Sequence, residues 1–327
     1  MAVLVTGGAG YIGSHTVRCL RQRGRDVVVL DNLDRGFASL VHDAPLVVGD
    51  IADEQLVEKI CDEHSVTSVI HFAAHKNVGE SMASPSKYWH NNVDGTVHLV
   101  DALLRAGVRD LVFSSSCSVY GTPSEVPVTE SAPIHPESVY AETKAMMERI
   151  LRWYDVTSGL RSVSLRYFNA AGASLDNVIG EDWKYSLNLI PVVMKAALGR
   201  GPAIRIFGSD YPTADGTAIR DYIHVDDLAD AHVRALDYLA EAGESIALNL
   251  GTGVGTSVLE VVKATEQIGQ CTVPVEWSPR RAGDPVSVYA DPTQVRDVLG
   301  WEPRHGLDTI IETAWRWHST HLDGIEA

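Results

Sequence analysis

The first glycines of the chain constrain its fold more than any other feature. A short apolar run, Val3–Thr6, leads directly into glycines at positions 7, 10 and 13, and a helical pattern follows over Ile12–Arg23. In this order Gly7 permits a tight turn, Gly10 lets a pyrophosphate approach the backbone, and Gly13 lets the helix pack closely on the strand. The helix start presents free N–H groups and a partial positive charge to that anion. The segment therefore predicts a dinucleotide-binding unit.

An acidic residue follows the second apolar run. This run, Val27–Leu30, ends at Asp31, 18 residues after the last of the three glycines. A carboxylate there accepts hydrogen bonds from the adenosine ribose and repels a 2′-phosphate, which favours NAD over NADP. The alternative is a glycine-rich turn followed by a capping aspartate. Asp50 and Ile51, after the third run, either contact the adenine or, for Asp50, cap a helix.

Apolar runs alternate with helical patterns through the first half of the chain. Strands are predicted at Val3–Thr6, Val27–Leu30, Leu46–Val48, Val66–Phe72, Leu111–Phe113 and Val163–Tyr167, each buried on both faces. Helices are predicted at Ile12–Arg23, Glu54–Glu63, His90–Arg105 and Val139–Tyr154. The alternation predicts an α/β fold, a Rossmann-type doubly wound parallel sheet. We expect an NAD-binding domain over residues 1–170 and a smaller α/β substrate domain over 171–327, some segments of which return to the first domain.

Composition excludes several classes of function. The chain of 327 residues carries a formal net charge of −16, which repels phosphate backbones, so we expect no nucleic-acid partner. Its cysteines lack CxxC spacing, which indicates neither a metal site nor a disulfide framework and suits a reducing compartment. They are Cys19, Cys61, Cys117 and Cys271. No apolar run approaches the roughly 20 residues of a membrane helix. We therefore expect a cytoplasmic protein without a membrane partner.

A tyrosine and a lysine four residues apart open the fourth predicted helix. Residues at i and i+4 share one face, so Tyr140 and Lys144 lie on the apolar stripe that continues through Met147 and Leu151. A catalytic explanation is a tyrosine base whose pKa, near 10 in water, must fall by about three pH units. A neighbouring ammonium and a positive nicotinamide ring favour that fall. The alternative is a lysine that extends past a core tyrosine to reach water.

Serines follow the fifth predicted strand, in the run Ser114-Ser115-Ser116-Cys117-Ser118. They fall at the C-terminal edge of the sheet, where ligands of doubly wound folds bind. One hydroxyl there can relay a proton between a substrate and the tyrosine. The alternative is a polar strand end without a catalytic role.

Taken together, these segments resemble the extended short-chain dehydrogenase/reductase family and, within it, the UDP-glucose 4-epimerases. The motifs that carry the resemblance are GGAGYIGSH, LDNL, GDI, HFAAHKNVGES, SSSCSVYG, YAETK, LRYFNAAGA, IFGSDYPTADGTAIRDYIHVDDLA and PRRAGD. They span nearly the whole chain, and the longest of them has no place in a generic dehydrogenase. The resemblance also implies a homodimer, formed through the third and fourth predicted helices.

The resemblance implies a reaction. Tyr140 takes the proton of the sugar 4-hydroxyl, Lys144 binds the nicotinamide ribose and lowers the pKa of Tyr140, and Ser116 bridges the sugar and the tyrosine. NAD stays bound, a 4-keto sugar forms and swings over, and C4 is inverted, so that UDP-glucose and UDP-galactose interconvert.

The resemblance also implies a set of contacts. NAD contacts are implied at Gly7, Gly10, Tyr11, Ile12, Gly13, Asp31, Asn32, Asp50, Ile51, Phe72, Ala73, Lys76, Asn91, Ser114, Tyr140, Lys144 and Tyr167. Contacts to the UDP-sugar are implied at Ser116, Tyr140, Asn169, Asn188, Phe207, Arg220, Arg281, Asp284 and Val288. Arg220 and Arg281 clamp the diphosphate, because guanidinium groups donate paired bonds to phosphate oxygens. Asp284 holds the nucleotide ribose and Phe207 lies beside the uracil.

One position of this set sets the size of the sugar pocket in the family. A large aromatic residue there excludes an N-acetyl group and a small residue admits it; ungapped counting places Val288 there. We therefore hypothesise that UDP-N-acetylglucosamine is also a substrate. Neighbouring strand residues face opposite ways, so a slip of one residue to Tyr289 reverses the inference.

Three alternatives remain at this stage. A nucleotide-sugar 4,6-dehydratase needs an acid pair near the serine run, where this chain has Ser116-Cys117-Ser118. A UDP-pentose 4-epimerase differs little in sequence. A non-catalytic NAD-sensing or scaffold protein has no need of both Tyr140 and Lys144.

Overall fold

A seven-stranded parallel sheet forms the centre of the molecule. The computed structural model describes residues 2–184, 186–281 and 283–325. Its strands are β1 Ala2–Thr6, β2 Asp26–Asp31, β3 Leu46–Val48, β4 Val66–His71, β5 Asp110–Ser114, β6 Arg161–Tyr167, β7 Asn169–Ala171, β8 Ile204–Phe207, β9 Ile219–Arg220, β10 Tyr222–His224, β11 Ile246–Leu250, β12 Thr256–Ser257, β13 Val275–Ser278 and β14 Ser287–Val288. The large sheet has the order β11-β6-β5-β4-β1-β2-β3. The predicted Rossmann-type sheet is confirmed.

Helices cover both faces of this sheet. They are α1 Tyr11–Gln22, α2 Glu54–Glu63, α3 Val78–Ala83, α4 Pro85–Tyr88, α5 Gly95–Arg105, α6 Val139–Ser158, α7 Leu189–Ala197, α8 Val225–Ala242, α9 Val258–Gly269, α10 Thr293–Leu299 and α11 Leu307–Thr320. Alternate residues of β1 point to opposite faces: Val3 and Val5 pack with α1 and α8, whereas Leu4 packs with α2, α5 and α6. The two apolar layers hold the C-terminal ends of the strands, where the site forms, in a fixed frame.

The predicted strands all form, with ends that differ by no more than two residues. The prediction that each is buried on both faces is wrong for β3, where Val48 is 60% exposed. This strand pairs only with β2 and so forms one edge of the sheet. The helix predicted over His90–Arg105 is α-helical only from Gly95, because residues Trp89–Asp94 form a π-helix. The helix predicted over Val139–Tyr154 continues to Ser158.

After residue 170 the chain builds small sheets beside the large one. Strands β7 and β10 pair with each other, β12, β9 and β14 form a three-stranded sheet, and β8 pairs with β13. Helices α7, α9 and α11 share an apolar cluster with β8. Strand β11 extends the large sheet beyond β6, and α8 packs on its face. The division into two domains at residue 170 stays a prediction.

Within the part of the chain that the structure describes, no helix is both long enough and apolar enough to cross a lipid bilayer.

Candidate functional site

The turn between β1 and α1 has no room for side chains at two of its glycines. Gly7 has φ +71°, and a Cβ there would lie 2.6 Å from the backbone nitrogen of Ala73. A Cβ on Gly13 would overlap the carbonyl oxygen of Gly7. Gly10 precedes α1 without a side-chain cap, and the first turn, with Tyr11 and Ile12, carries no acidic residue. The N–H groups at this helix start are therefore available to an anion, as the sequence predicts.

Asp31 lies at the end of β2, beside this turn. Its carboxylate accepts hydrogen bonds from the backbone N–H of Ala9 at 3.0 Å and of Leu33 at 2.9 Å. Burial raises the pKa of Asp31. The side-chain oxygen of Asn32 accepts a hydrogen bond from the backbone N–H of Asp34 at 3.0 Å. A carboxylate oxygen accepts more than one hydrogen bond, so Asp31 retains capacity for ribose hydroxyls.

Asp50 and Ile51 lie beyond the end of β3. Asp50 accepts from the N–H of Ala52 at 2.9 Å, whereas the cap of α2 is Asp53, which accepts from Leu56. The alternative in which Asp50 caps that helix is therefore wrong. Ile51 is buried in the apolar layer that contains α2 and α5.

The segment after β4 lies against the glycine turn. Ala73 meets Gly7 there, and the ring of Phe72 lies 4.6 Å from the ring of His232 on α8. Lys76 extends to the buried carboxylate of Glu181, with its Nζ 3.7 Å from an Oε. Asn91, in the π-helix, donates its side-chain amide to Asn92 at 2.9 Å.

Tyr140 and Lys144 are both buried on one face of α6. The helix begins after Ser138, whose hydroxyl accepts from the N–H of Ala141. Lys144 is 4% exposed, and its Nζ donates to the carbonyl oxygen of Ser114 at 2.7 Å. Its Nζ also lies 5.9 Å from the centre of the Tyr140 ring and 4.8 Å from that of Phe113. A lysine so deeply buried does not reach water, so the alternative of a lysine that extends to solvent is wrong.

The serine run completes this group of side chains. Ser116 is buried and caps the short turn Cys117–Tyr120, where its Oγ accepts from the N–H of Ser118 at 3.2 Å and from the hydroxyl of Ser118 at 2.9 Å. Ser114 shares a hydrogen bond of 2.6 Å with the hydroxyl of Tyr167 on β6. The structure thus brings the residues of β5, β6 and α6 to one end of the sheet.

Burial dominates the electrostatics of the pair. It lowers the pKa of Lys144 from its usual 10.5 to about 7, with the Glu148 carboxylate opposing the fall. It also raises the pKa of Tyr140 well above its usual value, and the Tyr167 hydroxyl adds to this while a hydrogen bond with Ser116 opposes it. The expected depression of the tyrosine pKa is thus not produced by the protein groups alone, because both side chains lose more hydration than their neighbours replace.

The residues predicted to hold a UDP-sugar lie on the small sheets. Arg220, on β9, pairs with the carboxylate of Asp284. The guanidinium of Arg281 stacks over the ring of Phe207, 4.3 Å from its centre. Asn169 donates its amide to the carbonyl oxygen of Asp221 at 2.9 Å.

Val288 connects this group to the serine turn, which is the turn Cys117–Tyr120 capped by Ser116. It pairs in register with Arg220 and is buried in a cluster that includes Val119, Tyr120 and Phe168. Tyr289 lies on the other side of the strand, near Gly255. The residue on the side of the serine turn is therefore Val288, in agreement with the ungapped count.

Two buried carboxylates were missed by the sequence analysis. Asp221 accepts hydrogen bonds from the backbone N–H groups of Thr252, Gly253 and Ala290, and so joins the loop at residues 252–253 to the segment around Ala290. Glu181 accepts from the side-chain amide of Asn188 at 3.1 Å and also lies next to Lys76. Asp221 falls inside the longest motif, whereas Glu181 lies in none of the motifs, and a lone acidic residue in a loop has no distinctive spacing.

Comparison with known proteins places the chain in a family. Residues 3–251 match the family described as the NAD dependent epimerase/dehydratase family. A UDP-glucose 4-epimerase of Halalkalibacterium halodurans is 48% identical over 325 residues, 99% of this chain and 97% of that protein. The structure of UDP-glucose-4-epimerase from Stenotrophomonas maltophila with bound NAD and formylated UDP-arabinopyranose has a TM-score of 0.96 at 42% identity and 99% coverage of both chains. That of UDP-glucose 4-epimerase from Bifidobacterium longum with NAD⁺ and UDP has a TM-score of 0.93 at 38% identity, covering 99% of this chain and 100% of that one. The chain therefore belongs to the NAD-dependent epimerase/dehydratase family, and within it to the UDP-glucose 4-epimerases.

Proposed function

We propose that this chain inverts C4 of a UDP-hexose and so interconverts UDP-glucose and UDP-galactose, with NAD bound throughout the cycle. The observation that carries the proposal is the burial of Tyr140, Lys144 and Ser116 together at one end of the sheet. The full-length similarity to UDP-glucose 4-epimerases supports it further.

The residues around the glycine turn fit a dinucleotide. Gly7 and Gly13 leave the backbone bare, the N–H groups at the start of α1 lack a side-chain cap, and Asp31 stands at the adjacent strand end. These groups hold the pyrophosphate and the adenosine ribose. Lys144, beside the carbonyl of Ser114, holds the nicotinamide ribose. When bound, the oxidised nicotinamide supplies a reversible hydride acceptor and a positive charge.

Proton transfer at the sugar 4-hydroxyl falls to Tyr140 and Ser116. Because burial raises the pKa of Tyr140, the tyrosine is protonated until positive charge lies beside it. The hydroxyl of Ser116 bridges the sugar and the tyrosine, and its present bonds to Ser118 hold it in place. The same tyrosine returns the proton when C4 is reduced on the opposite face.

Residues of the small sheets bind the nucleotide diphosphate. Arg220 and Arg281 bind its oxygens, and binding draws Arg220 from its pair with Asp284, which is then available to the ribose. Phe207, under the Arg281 guanidinium, offers a flat apolar surface for the uracil. Asn169 and Asn188 contact the diphosphate and the sugar. Because these contacts hold mainly the UDP part, the sugar ring can rotate and present its opposite face, as inversion of C4 requires.

The size of the side chain at position 288 extends the proposed substrate range. Val288 is small and lies on the side of the serine turn, so the proposal includes UDP-N-acetylglucosamine as a substrate. Negligible inversion of this sugar beside good turnover of UDP-glucose contradicts that part of the proposal. A panel that adds UDP-pentoses separates a hexose enzyme from a pentose 4-epimerase. A 4,6-dehydratase is not favoured, because the turn after Ser116 carries no acidic residue.

A homodimer and a cytoplasmic location complete the proposal. On α6, Trp153 is 63% exposed and Val156 is 71% exposed, one helical turn apart, which suits a helix partner from a second copy. The scattered cysteines suit a reducing compartment. Sedimentation tests the dimer: we expect the wild type to sediment as a dimer and the Trp153→Glu variant to dissociate. A wild type that sediments as a monomer contradicts the proposed dimer.

Conversion of UDP-glucose to UDP-galactose by the purified, NAD-loaded chain tests the main proposal. We expect Tyr140→Phe to lose most turnover, on the order of 100-fold or more, while it retains NAD. Tyr154→Phe is a matched control, since Tyr154 lies on the same helix and its hydroxyl donates to the carboxylate of Asp101. Near-normal turnover by Tyr140→Phe refutes the assignment of the base, and a wild-type chain without turnover refutes the function.

A further inference from the structure

A buried ion pair lies directly behind the catalytic group. Glu148 follows Lys144 by one helical turn of α6, and Arg166 comes from β6. The guanidinium meets the carboxylate with an Nη2–Oε2 distance of 2.6 Å and an Nε–Oε1 distance of 3.0 Å. Their side chains are only 8% and 12% exposed. The proton transfer proposed above makes no use of this pair.

The pair holds both ends of the turn that carries Ser116. At one end, the hydroxyl of Ser115 donates to the carboxylate of Glu148. At the other, Arg166 donates from Nη1 to the hydroxyl of Tyr120 at 2.8 Å. The turn is therefore fixed to the helix of Tyr140 and Lys144 through one carboxylate and one guanidinium.

Glu148 also places a negative charge on the side of Lys144, because residues four apart share one face of α6. From α6, Lys144 faces Tyr140 and Glu148, and of these only the carboxylate favours the ammonium. From β4 it faces His71, whose pKa burial lowers to about 3, so that this imidazole is neutral at pH 7.

From β5 the ammonium meets the Ser114 carbonyl and the Phe113 ring. From β6 the hydroxyl of Tyr167 lies next to it through Ser114, and burial raises the pKa of Tyr167 to about 12. All these neighbours are neutral at pH 7, so the charges beside Lys144 that remain to be considered are the Glu148 carboxylate and, beyond it, the Arg166 guanidinium of β6. Without Glu148, burial favours a neutral amine at position 144.

We infer that Glu148, held in place by Arg166, is a positioning residue that keeps Lys144 charged next to Tyr140. The inference rests on the proposed function, because a charged Lys144 matters to the base only if Tyr140 ionises during turnover. A purely structural role for the pair predicts a loss of turnover that is the same at every pH.

The test is the pH profile of kcat for Glu148→Gln in the full, NAD-loaded chain, with UDP-glucose as substrate. On this proposal, wild-type turnover declines at alkaline pH because Lys144 loses its proton. In the variant, the neutral amide of glutamine at position 148 no longer stabilises the Lys144 ammonium, so the proton is lost at lower pH. We expect the alkaline limb to move to lower pH by roughly half to one unit, with little change in KM. Glu142→Gln is the matched control on the same helix, since Glu142 pairs with the exposed Arg149 at 2.8 Å, and its limb stays in place.

Removal of one partner leaves Arg166 buried without a counter-charge, so the single variant can fail to fold. The double variant Glu148→Gln/Arg166→Met is then used, because it leaves no unpaired buried charge. We expect its alkaline limb to move in the same direction but by less, since the guanidinium that repels the ammonium is removed together with the carboxylate. A folded variant whose limb coincides with that of the wild type overturns the inference, as does a loss of kcat that is uniform across pH. Failure of the proposed function is distinguishable, because it appears as absent turnover in the wild type.

Discussion

Replacement of Lys144 by methionine should make the cofactor-free protein more stable while it removes activity. The burial of the ammonium lowers the pKa of Lys144 from 10.5 to about 7. Each pH unit between these values is worth about 1.4 kcal/mol, so at pH 6 the buried charge costs on the order of 5 kcal/mol of folding free energy. Methionine has a similar length and no charge, but it leaves the Ser114 carbonyl without its donor, a loss of about 1–3 kcal/mol. We expect a net gain of roughly 2–4 kcal/mol at pH 6.

The gain should vanish as the pH rises. Between about pH 7 and 10.5 the unfolded chain binds more protons at position 144 than the folded chain, so the stability of the wild type rises with pH across this window. At pH 10 little of the penalty remains, and the lost hydrogen bond leaves Lys144→Met no more stable than the wild type. In the NAD-loaded protein, turnover at neutral pH should fall by about 100-fold or more, because the charge beside Tyr140 is absent, and this difference should narrow at alkaline pH, where Lys144 of the wild type loses its proton.

The assay is urea unfolding of both proteins, stripped of cofactor, at pH 6, 8 and 10. A surface control is Lys59→Met, since Lys59 is exposed on α2, and this change should alter stability by less than about 0.5 kcal/mol. The reasoning is refuted if Lys144→Met is less stable than the wild type at pH 6. It is equally refuted if the difference between them is the same at pH 6 and pH 10.

Three further predictions concern the cofactor, the sugar and the frame of the site. Asp31→Asn keeps a hydrogen-bond acceptor but removes the negative charge, so calorimetry should show the preference for NAD over NADP reduced by about tenfold or more. Val288→Tyr adds bulk beside the serine turn and should lower kcat/KM for UDP-N-acetylglucosamine at least about tenfold relative to UDP-glucose; equal losses for both sugars argue against a size filter. Asp221→Ala leaves three loop N–H groups without their carboxylate and should cost about 3–5 kcal/mol in urea unfolding, against less than about 1 kcal/mol for the exposed Asp237→Ala.

The parts of the fold that follow from local rules were predictable from the sequence. The turn over residues 7–13 needs glycine because a Cβ on Gly7 or Gly13 meets backbone atoms. Strands β1, β2, β4, β5 and β6 read clearly because they lie inside the sheet and carry apolar residues towards both faces. Strand β3 has the same apolar sequence, but it lies at the edge, and sequence alone does not reveal how many neighbours a strand has.

Other parts depended on contacts between distant segments. The π-helix Trp89–Asp94 contains Asn92, whose amide accepts from the N–H of His75 and donates to its carbonyl, and no periodicity of the helix itself contains that partner. Strand β11 joins the large sheet from 79 residues beyond the end of β6. The spacing of Glu148 after Lys144 is visible in the sequence. That its partner is Arg166, rather than solvent, is decided by the pairing of β6 with β5.

The sequence identified the tyrosine and the lysine but misjudged how they affect each other. Spacing says that two side chains share a helix face, and from this a lowered pKa for Tyr140 followed. Burial is the property that spacing does not contain, and it acts on both groups in the direction of their neutral forms. A neutral phenol beside a lysine with a pKa of about 7 is therefore the resting state that the protein imposes by itself. Tyr140 can therefore ionise only when further positive charge is placed beside it. Binding of oxidised NAD to the cofactor-free protein should produce an increase in tyrosinate absorbance, and Tyr140→Phe should abolish this increase. If the tyrosinate absorbance of Tyr140 is already present before NAD is added, burial does not control the ionisation of Tyr140. The role inferred for the charge of Glu148 then loses its basis as well.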